Sequence, residues 1–277
     1  MNPGSEIDLP LPRAEPVPSA YARPWVTRAA PRAWLAAGWR DLRHDPASSL
    51  AYGVLVWLAS LGLILFVVRH GRDYILFPLL AGFLVVGPLV ALGLYEKSRR
   101  LAAGETAGLW RMVFLHPASG AQILFTGALL CLLMLAWMRA AVLIYALFFG
   151  LRPFPGLDQI APMLFTTPTG WAMLFVGSAI GALFAAFSFA ISVFALPMQL
   201  TERVDALTAM GSSMSLVWRN LPVMLLWGGI VLALFLAAVA TALLGLIVVF
   251  PLLGHATWHA YETMRAPAPD GRETVAP

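Results

Sequence analysis

Two histidines four residues apart, His255 and His259, are the side chains whose spacing comes nearest to a chemical site. On a helix, residues i and i+4 share a face, so both imidazoles can be offered to one metal ion or to one carboxylate. Tyr261, Glu262 and Arg265 follow within two turns, and the same Tyr-Glu-x2-Arg pattern stands at Tyr95, Glu96 and Arg99. Together these residues form a candidate polar cluster or metal site. Two histidines do not complete a metal centre, and a third ligand has to come from Glu96, Glu202 or His116 by tertiary packing. The plainer reading is a pair of interfacial histidines bonded to neighbouring carbonyls or carboxylates, beside Trp258 and Tyr261 in an aromatic belt. The sequence holds no phosphate-binding loop, no GxSxG elbow and no zinc-protease pair. Paired carboxylates inside an apolar run, which proton-driven transport often uses, are also missing. The expectation is a protein without enzymatic activity and without a cofactor.

The elements that must position these residues are membrane helices. Of 277 residues, 60% are hydrophobic and only 12% charged, with a mean hydropathy of +0.79; a soluble domain carries about 25% charged residues. Uncharged tracts run over 50–68, 74–95, 118–138, 159–201 and 220–261, and about 20 apolar residues suffice to cross the hydrocarbon core. The runs are continuous rather than alternating, which excludes a β-barrel. The fold class is therefore all-α, a polytopic membrane helix bundle. Six spans are expected, at about 50–68, 74–95, 118–149, 169–200, 220–241 and 244–262. The last two come from dividing a tract that would measure about 64 Å as one helix, twice what a bilayer needs, with a tight turn near 241–245. The transmembrane domain covers 32–265. The Pro-rich tail 1–31 cannot bury a core and is expected to be disordered, with no signal peptide, and 266–277 is a second short tail.

Residues 32–44 place Trp34, Leu35, Gly38, Trp39 and Leu42 on one side at helical spacing, which predicts an amphipathic helix lying among headgroups. Residues 106–116 read as another Trp-bearing interfacial segment. Pro88, Pro197 and Pro251 each sit inside a span, where a missing N–H predicts a kink. Arg139 falls about 30 Å along its helix, so it is expected to snorkel at the outer interface, the sharper alternative being a functional intramembrane charge. The Pro-rich stretch 151–168 is the longest external connection and cannot be one helix. The single cysteine, Cys131, reads as a packing residue.

With the N-terminus inside, every Lys and Arg except Arg69, Arg72, Arg139 and Arg152 falls on the inner side. By the positive-inside rule both termini are cytoplasmic. The same bias accounts for the net charge of +4 and the pI near 9.6 without invoking nucleic acid. The expected partners are a bilayer with anionic headgroups and either another membrane protein or further copies of the chain.

The chain also looks repetitive. Trp39-Arg40, Trp110-Arg111 and Trp218-Arg219 each precede a span, and the three prolines recur in the second span of each pair, which suggests three helix hairpins. The segment LLAGFLVVGPLVALGLYEKSRRLAAGE, the run PMQLTERVDALTA from Pro197 and the ending IVVFPLLGHATWHAYE resemble an uncharacterised family of bacterial integral membrane proteins, a domain of unknown function. The resemblance spans roughly 33–265. It implies a six-helix protein of the bacterial cytoplasmic membrane and brings no activity or catalytic residue with it. The expected function is a scaffold, assembly or regulatory factor for a membrane complex. The alternative is a small-solute transporter or channel that uses its Pro-broken second, fourth and sixth spans.

Overall fold

The computed structural model describes residues 26–150 and 155–265. The elements in chain order are α1 (Ala30–His44), α2 (Pro46–Arg69), a 3-10 turn (Asp73–Ile75), α3 (Leu76–Val90), α4 (Leu92–Ala102), α5 (Leu109–Val113) and α6 (Gly120–Phe149). Then come α7 (Leu157–Thr166), α8 (Pro168–Ser192), α9 (Ala195–Thr201), α10 (Ala206–Arg219), α11 (Leu221–Ala240) and α12 (Leu246–Arg265). The described residues contain no strand.

Five helical stretches are long and apolar enough to cross a bilayer: Pro46–Arg69, Leu76–Ala102, Gly120–Phe149, Pro168–Thr201 and Leu221–Ala240. Only 17–39% of their most apolar windows is buried by the rest of the protein. Their outward faces carry Leu124, Leu147 and Phe175, each at least three-quarters exposed. Water does not tolerate so continuous an apolar surface, whereas lipid does. The chain is an integral, multi-pass membrane protein.

α12 is different. Its composition falls short of the other five, yet it is more enclosed than any of them, with Phe250, Pro251, Gly254, His255, Ala256, Trp258, Ala260, Tyr261 and Met264 all buried. α1, α2 and α4 pack against it. Glycines permit that approach. A Cβ on Gly38 of α1 would lie 2.6 Å from the Ala256 nitrogen, and one on Gly254 of α12 would meet the Leu94 side chain of α4. Pro251 has no N–H to give the Ile247 carbonyl, and Gly53 of α2 backs directly onto that carbonyl.

Two other helices break, and in each case a hydroxyl repairs the ladder. Between α3 and α4, Leu94 and Tyr95 both donate to Ala91 O, which leaves the Val90 carbonyl to accept from Tyr52 Oη at 2.6 Å. Between α8 and α9, Ser213 of α10 inserts its hydroxyl into the ladder. It donates to Ala190 O at 2.8 Å and accepts from Phe194 N at 3.1 Å. Both repairs keep backbone polar groups paired, as an apolar surrounding requires. The orphan groups at two helix ends also meet: Ala118 N and Ser119 N, at the start of α6, donate to Leu200 O and Gln199 O at the end of α9.

Several expectations change. α1 begins at Ala30, inside the stretch 1–31 read as a tail, while 1–25 and 266–277 lie outside the described residues. α1 is amphipathic but docks on α12 through Trp34, Ala37, Gly38 and Leu42. Trp39 does not share that face; it stays exposed with the Arg43 guanidinium 4.9 Å from its ring. The stretch 151–168 holds a helix, α7, around Pro162. Pro88, Pro197 and Pro251 lie within α3, α9 and α12; the helix breaks fall at Ala91, three residues after Pro88, and at Val193–Phe194, ahead of Pro197. Arg139 is exposed on α6. The turn at 241–245 appears as expected, with Ala242 and Leu243 at φ 51° and 66° and Thr241 Oγ1 accepting from Gly245 N at 2.9 Å.

A test follows from the packing on α12. Gly53→Ala places a methyl group against the Ile247 backbone, which cannot yield as a side chain does, and should cost about 1–3 kcal/mol. Gly62→Ala lies on the same helix with nothing within 4 Å and should be neutral or slightly stabilising. Thermal unfolding of the two variants in detergent measures the difference.

Candidate functional site: a buried polar clamp

The polar residues collected by this packing form one chain of hydrogen bonds across four helices. It starts at Lys97 of α4, whose side chain is fully buried. A lysine has three donors and no acceptor, and all three are used. Nζ donates to Asp45 O at 2.6 Å, Ser48 Oγ at 2.6 Å and Ser49 Oγ at 2.8 Å, and the Asp45 carboxylate lies 3.1 Å away. Asp45 joins α1 to α2, and Ser48 and Ser49 open α2, so one ammonium holds the α1–α2 corner. Ser48 in turn donates to Asp45 Oδ2 at 2.6 Å.

The chain continues through His255 of α12. Ser49 Oγ lies 2.9 Å from His255 Nε2, and Ser98 Oγ of α4 lies 2.7 Å from Nδ1. Ser98 Oγ also donates to Asp41 Oδ2 of α1 at 2.6 Å. That single bond fixes the direction of donation at Ser98. A carboxylate only accepts, so the one Ser98 hydroxyl proton is committed to Asp41. His255 Nδ1–H then donates to Ser98. Ser49, which accepts from Lys97, has its own proton to give to Nε2. This arrangement suits a neutral His255 in its Nδ1–H tautomer. Finally, His259 Nε2 contacts the same Asp41 oxygen at 2.8 Å. Donation runs one way, from Lys97 through Ser49, His255 and Ser98 to Asp41.

The two carboxylates close the chain electrostatically. Burial raises the Asp41 pKa, but hydrogen bonds from His259 and Ser98, with the nearby imidazoles, outweigh it and hold the carboxyl below its ordinary 3.8. The Ser48 hydrogen bond, followed by burial acting in the opposite sense and then by Lys97, leaves Asp45 below 3.8 as well.

The sequence-predicted residues divide. His255 and His259 do join one cluster, through Ser98 and Asp41. As metal ligands they are poorly placed, since both ring nitrogens of His255 are engaged by serines, and among the described residues no group of three or more His, Cys, Asp and Glu is arranged to hold a metal ion. Glu96 and Arg99 pair with each other on α4, with Arg99 Nε and Nη2 each 2.8 Å from a Glu96 oxygen, and Arg100 Nε joins them at 2.6 Å. Tyr95 lies in the apolar core. Tyr261 donates to Glu202 Oε1 at 3.0 Å, where Arg265 also arrives, and Glu262 sits 3.6 Å from Arg265. The two Tyr-Glu-x2-Arg exits thus make separate ion pairs rather than one site. Asp41, Asp45, Ser48, Ser49, Lys97 and Ser98 are absent from the sequence reading. Lys97 left a signal: it shares a helical face with Gly93, Leu94 and Leu101, an apolar setting for an ammonium.

Fold and site together define a polytopic membrane protein whose spans face lipid and whose α12, enclosed by other helices, is held by a polar network. Residues 76–201 match a family described as a predicted integral membrane protein (DUF2189). The match includes Lys97 and Ser98 but not the α1, α2 and α12 partners, and it is narrower than the 33–265 expected from the sequence. No curated protein and no solved structure matches the chain.

Removing one partner of a buried ion pair costs about 3–5 kcal/mol when both are enclosed. The Asp45 side chain is 35% exposed, so Lys97→Met should cost less, about 1–3 kcal/mol. Arg99→Met removes a guanidinium that is 43% exposed and leaves Glu96 paired with Arg100, so it should cost under about 1 kcal/mol. Chemical denaturation in mixed micelles ranks the two, and equal effects would remove the clamp from its place in stability.

The pH dependence has a definite sign. A carboxyl whose pKa is lowered on folding stabilises the protein fully above the ordinary carboxylate range and loses that contribution as pH falls through the lowered value. The melting temperature should stay level from pH 7 to about 5 and fall below about 4. Asp41→Asn, with a lower starting value, should flatten part of that fall.

Proposed function

We propose that this protein is a non-enzymatic scaffold, assembly or regulatory factor for a membrane complex. Within this reading α12 is a sixth span, 20 residues long and so about 30 Å. The helices form three hairpins, α2 with α3–α4, α6 with α8–α9 and α11 with α12. Both termini lie in the cytoplasm of a bacterial cell, and Arg139 reaches the outer headgroups of its inner membrane.

The observation that carries the proposal is where the hydrogen-bond chain begins and ends. Its outlets to water are Asp45 at one end and Asp41 with His259 at the other, all part-exposed. Asp41 and Asp45 are one helical turn apart at the α1–α2 corner. A transport path needs outlets on opposite faces, whereas this network opens twice on the same face and otherwise ties four helices together. At the breaks α3–α4 and α8–α9, Tyr52 and Ser213 also occupy backbone groups that a solute path would use. An apolar recess of about 90 Å³ between α2, α3, α6 and α11 is lined by none of Pro88, Pro197 and Pro251. The broad lipid-facing apolar surface is available to a membrane partner or to a second copy.

The test is reconstitution of the purified chain into liposomes, with proton and small-solute flux recorded alongside native mass spectrometry of the protein extracted with its neighbours. The expected result is no flux above empty liposomes and a stoichiometric protein companion or oligomer. Flux that disappears in Lys97→Met would overturn the proposal in favour of transport.

A further inference from the structure

A recess of about 430 Å³ opens where α4 leaves the bundle, lined by Glu96, Arg100, Trp110, Arg111, Phe114 and His116. Its volume lies in the range of about 300–1,000 Å³ typical of small-ligand sites. The recess is cationic despite Glu96, because that carboxylate is engaged by both Arg99 and Arg100. Arg100 uses Nε on Glu96 and Nη1 on Glu105, which leaves the rest of its five-donor fork for a ligand. Arg111 is exposed and makes no ion pair among the described residues. His116, on the same wall, is also exposed.

The apolar side of the recess has its own geometry. Trp110 and Phe114 pack one turn apart with ring centroids 4.1 Å from each other, yet they are 74% and 51% exposed. Neither ring is needed to fill the core. α5 sits between two candidate spans, Leu76–Ala102 and Gly120–Phe149, so these rings stand at the boundary between hydrocarbon and headgroups, where aromatic side chains are favoured. Cationic donors on one wall and an outward aromatic pair on the other match a molecule with an anionic phosphate joined to acyl chains.

We propose that this recess binds one anionic phospholipid, with its phosphate on Arg111, His116 and the free edge of Arg100, and its glycerol and upper acyl segments along Trp110 and Phe114. This is a discrete site, separate from the scaffold reading and from the polar clamp, and it stands whether or not the protein has a protein partner. Bulk attraction of basic residues to an anionic leaflet would need neither the recess nor the rings.

The experiment uses the full chain in nanodiscs of phosphatidylcholine with a small fraction of phosphatidylglycerol, followed by gentle release and native mass spectrometry. Wild type should retain one phosphatidylglycerol in preference to phosphatidylcholine. Arg111→Gln should reduce retention roughly fivefold, the scale of one arginine at an anionic surface, and Trp110→Ala should reduce it as well. Arg219→Gln removes an exposed arginine at the end of α10 and should leave retention unchanged; an equal loss there would mean diffuse surface charge and overturn the site. Displacement of the lipid by millimolar inorganic phosphate, with Trp110→Ala without effect, would also overturn it, as a soluble-anion site. Melting temperatures of all three variants within a degree or two of wild type separate lost binding from lost folding. If Arg111→Gln melts early, Arg111→Lys keeps the charge but not the planar fork, and retention still at wild-type level in that variant counts against phosphate held by Arg111 as described.

Discussion

Enclosing one ammonium imposes most of the order at the α1–α2–α4–α12 end of this protein. An unpaired charge inside an apolar medium costs several kcal/mol, so Lys97 is tolerable only where three acceptors converge on it. The α1–α2 corner supplies them as a backbone carbonyl and two adjacent hydroxyls. Ser49 and Ser98 each accept one hydrogen bond and donate one, so the requirement passes along the chain. With Lys97 donating to Ser49, that serine has its proton to give to His255 Nε2, Nδ1 donates to Ser98, and Ser98 ends on a carboxylate. Four helices are aligned by one directional requirement, and replacing any link by an apolar group strands its neighbour.

The rest of the bundle solves a related problem without charge. The helices that break do so where another helix can offer a hydroxyl, from Tyr52 at one break and Ser213 at the other. The start of α6 and the end of α9 exchange backbone bonds directly. Buried Thr126 and Gln199 pair with each other across α6 and α9. In each case the polar group has a partner on a different helix, so satisfying the backbone also fixes the packing.

How much of this was legible in the sequence depends on the range of the signal. The spans and the turn at 241–245 are local matters of hydropathy and length, and the structure has helices at Leu221–Ala240 and Leu246–Arg265 where 220–241 and 244–262 were expected. The pairing of His255 with His259 was also local, being an i, i+4 relation. The clamp was not. Its serines carry no local mark, and Asp41 and Asp45 stand close to Arg40 and Arg43 with nothing in the sequence to tie them to Lys97 or His255. Nothing in one sequence says that α1 folds back onto α12. The misreading of Trp39 has the same origin: periodicity grouped it with Trp34, but a helix that docks by glycine contact at Gly38 buries a narrower face than one that lies on a membrane.

α12 shows why composition alone misjudges such a protein. Hydropathy measures fitness for lipid, and the five stretches that pass that criterion are the ones with most of their surface turned outward. A helix surrounded by other helices meets serines, carboxylates and indoles rather than acyl chains, so it can carry buried His255 and Thr257 without exposing them to hydrocarbon. Its polar residues are then tolerated because of its position, and its position is held by those same residues. Sequence and packing are mutually dependent there, and for that reason the most enclosed of the long helices is the one that hydropathy alone passes over.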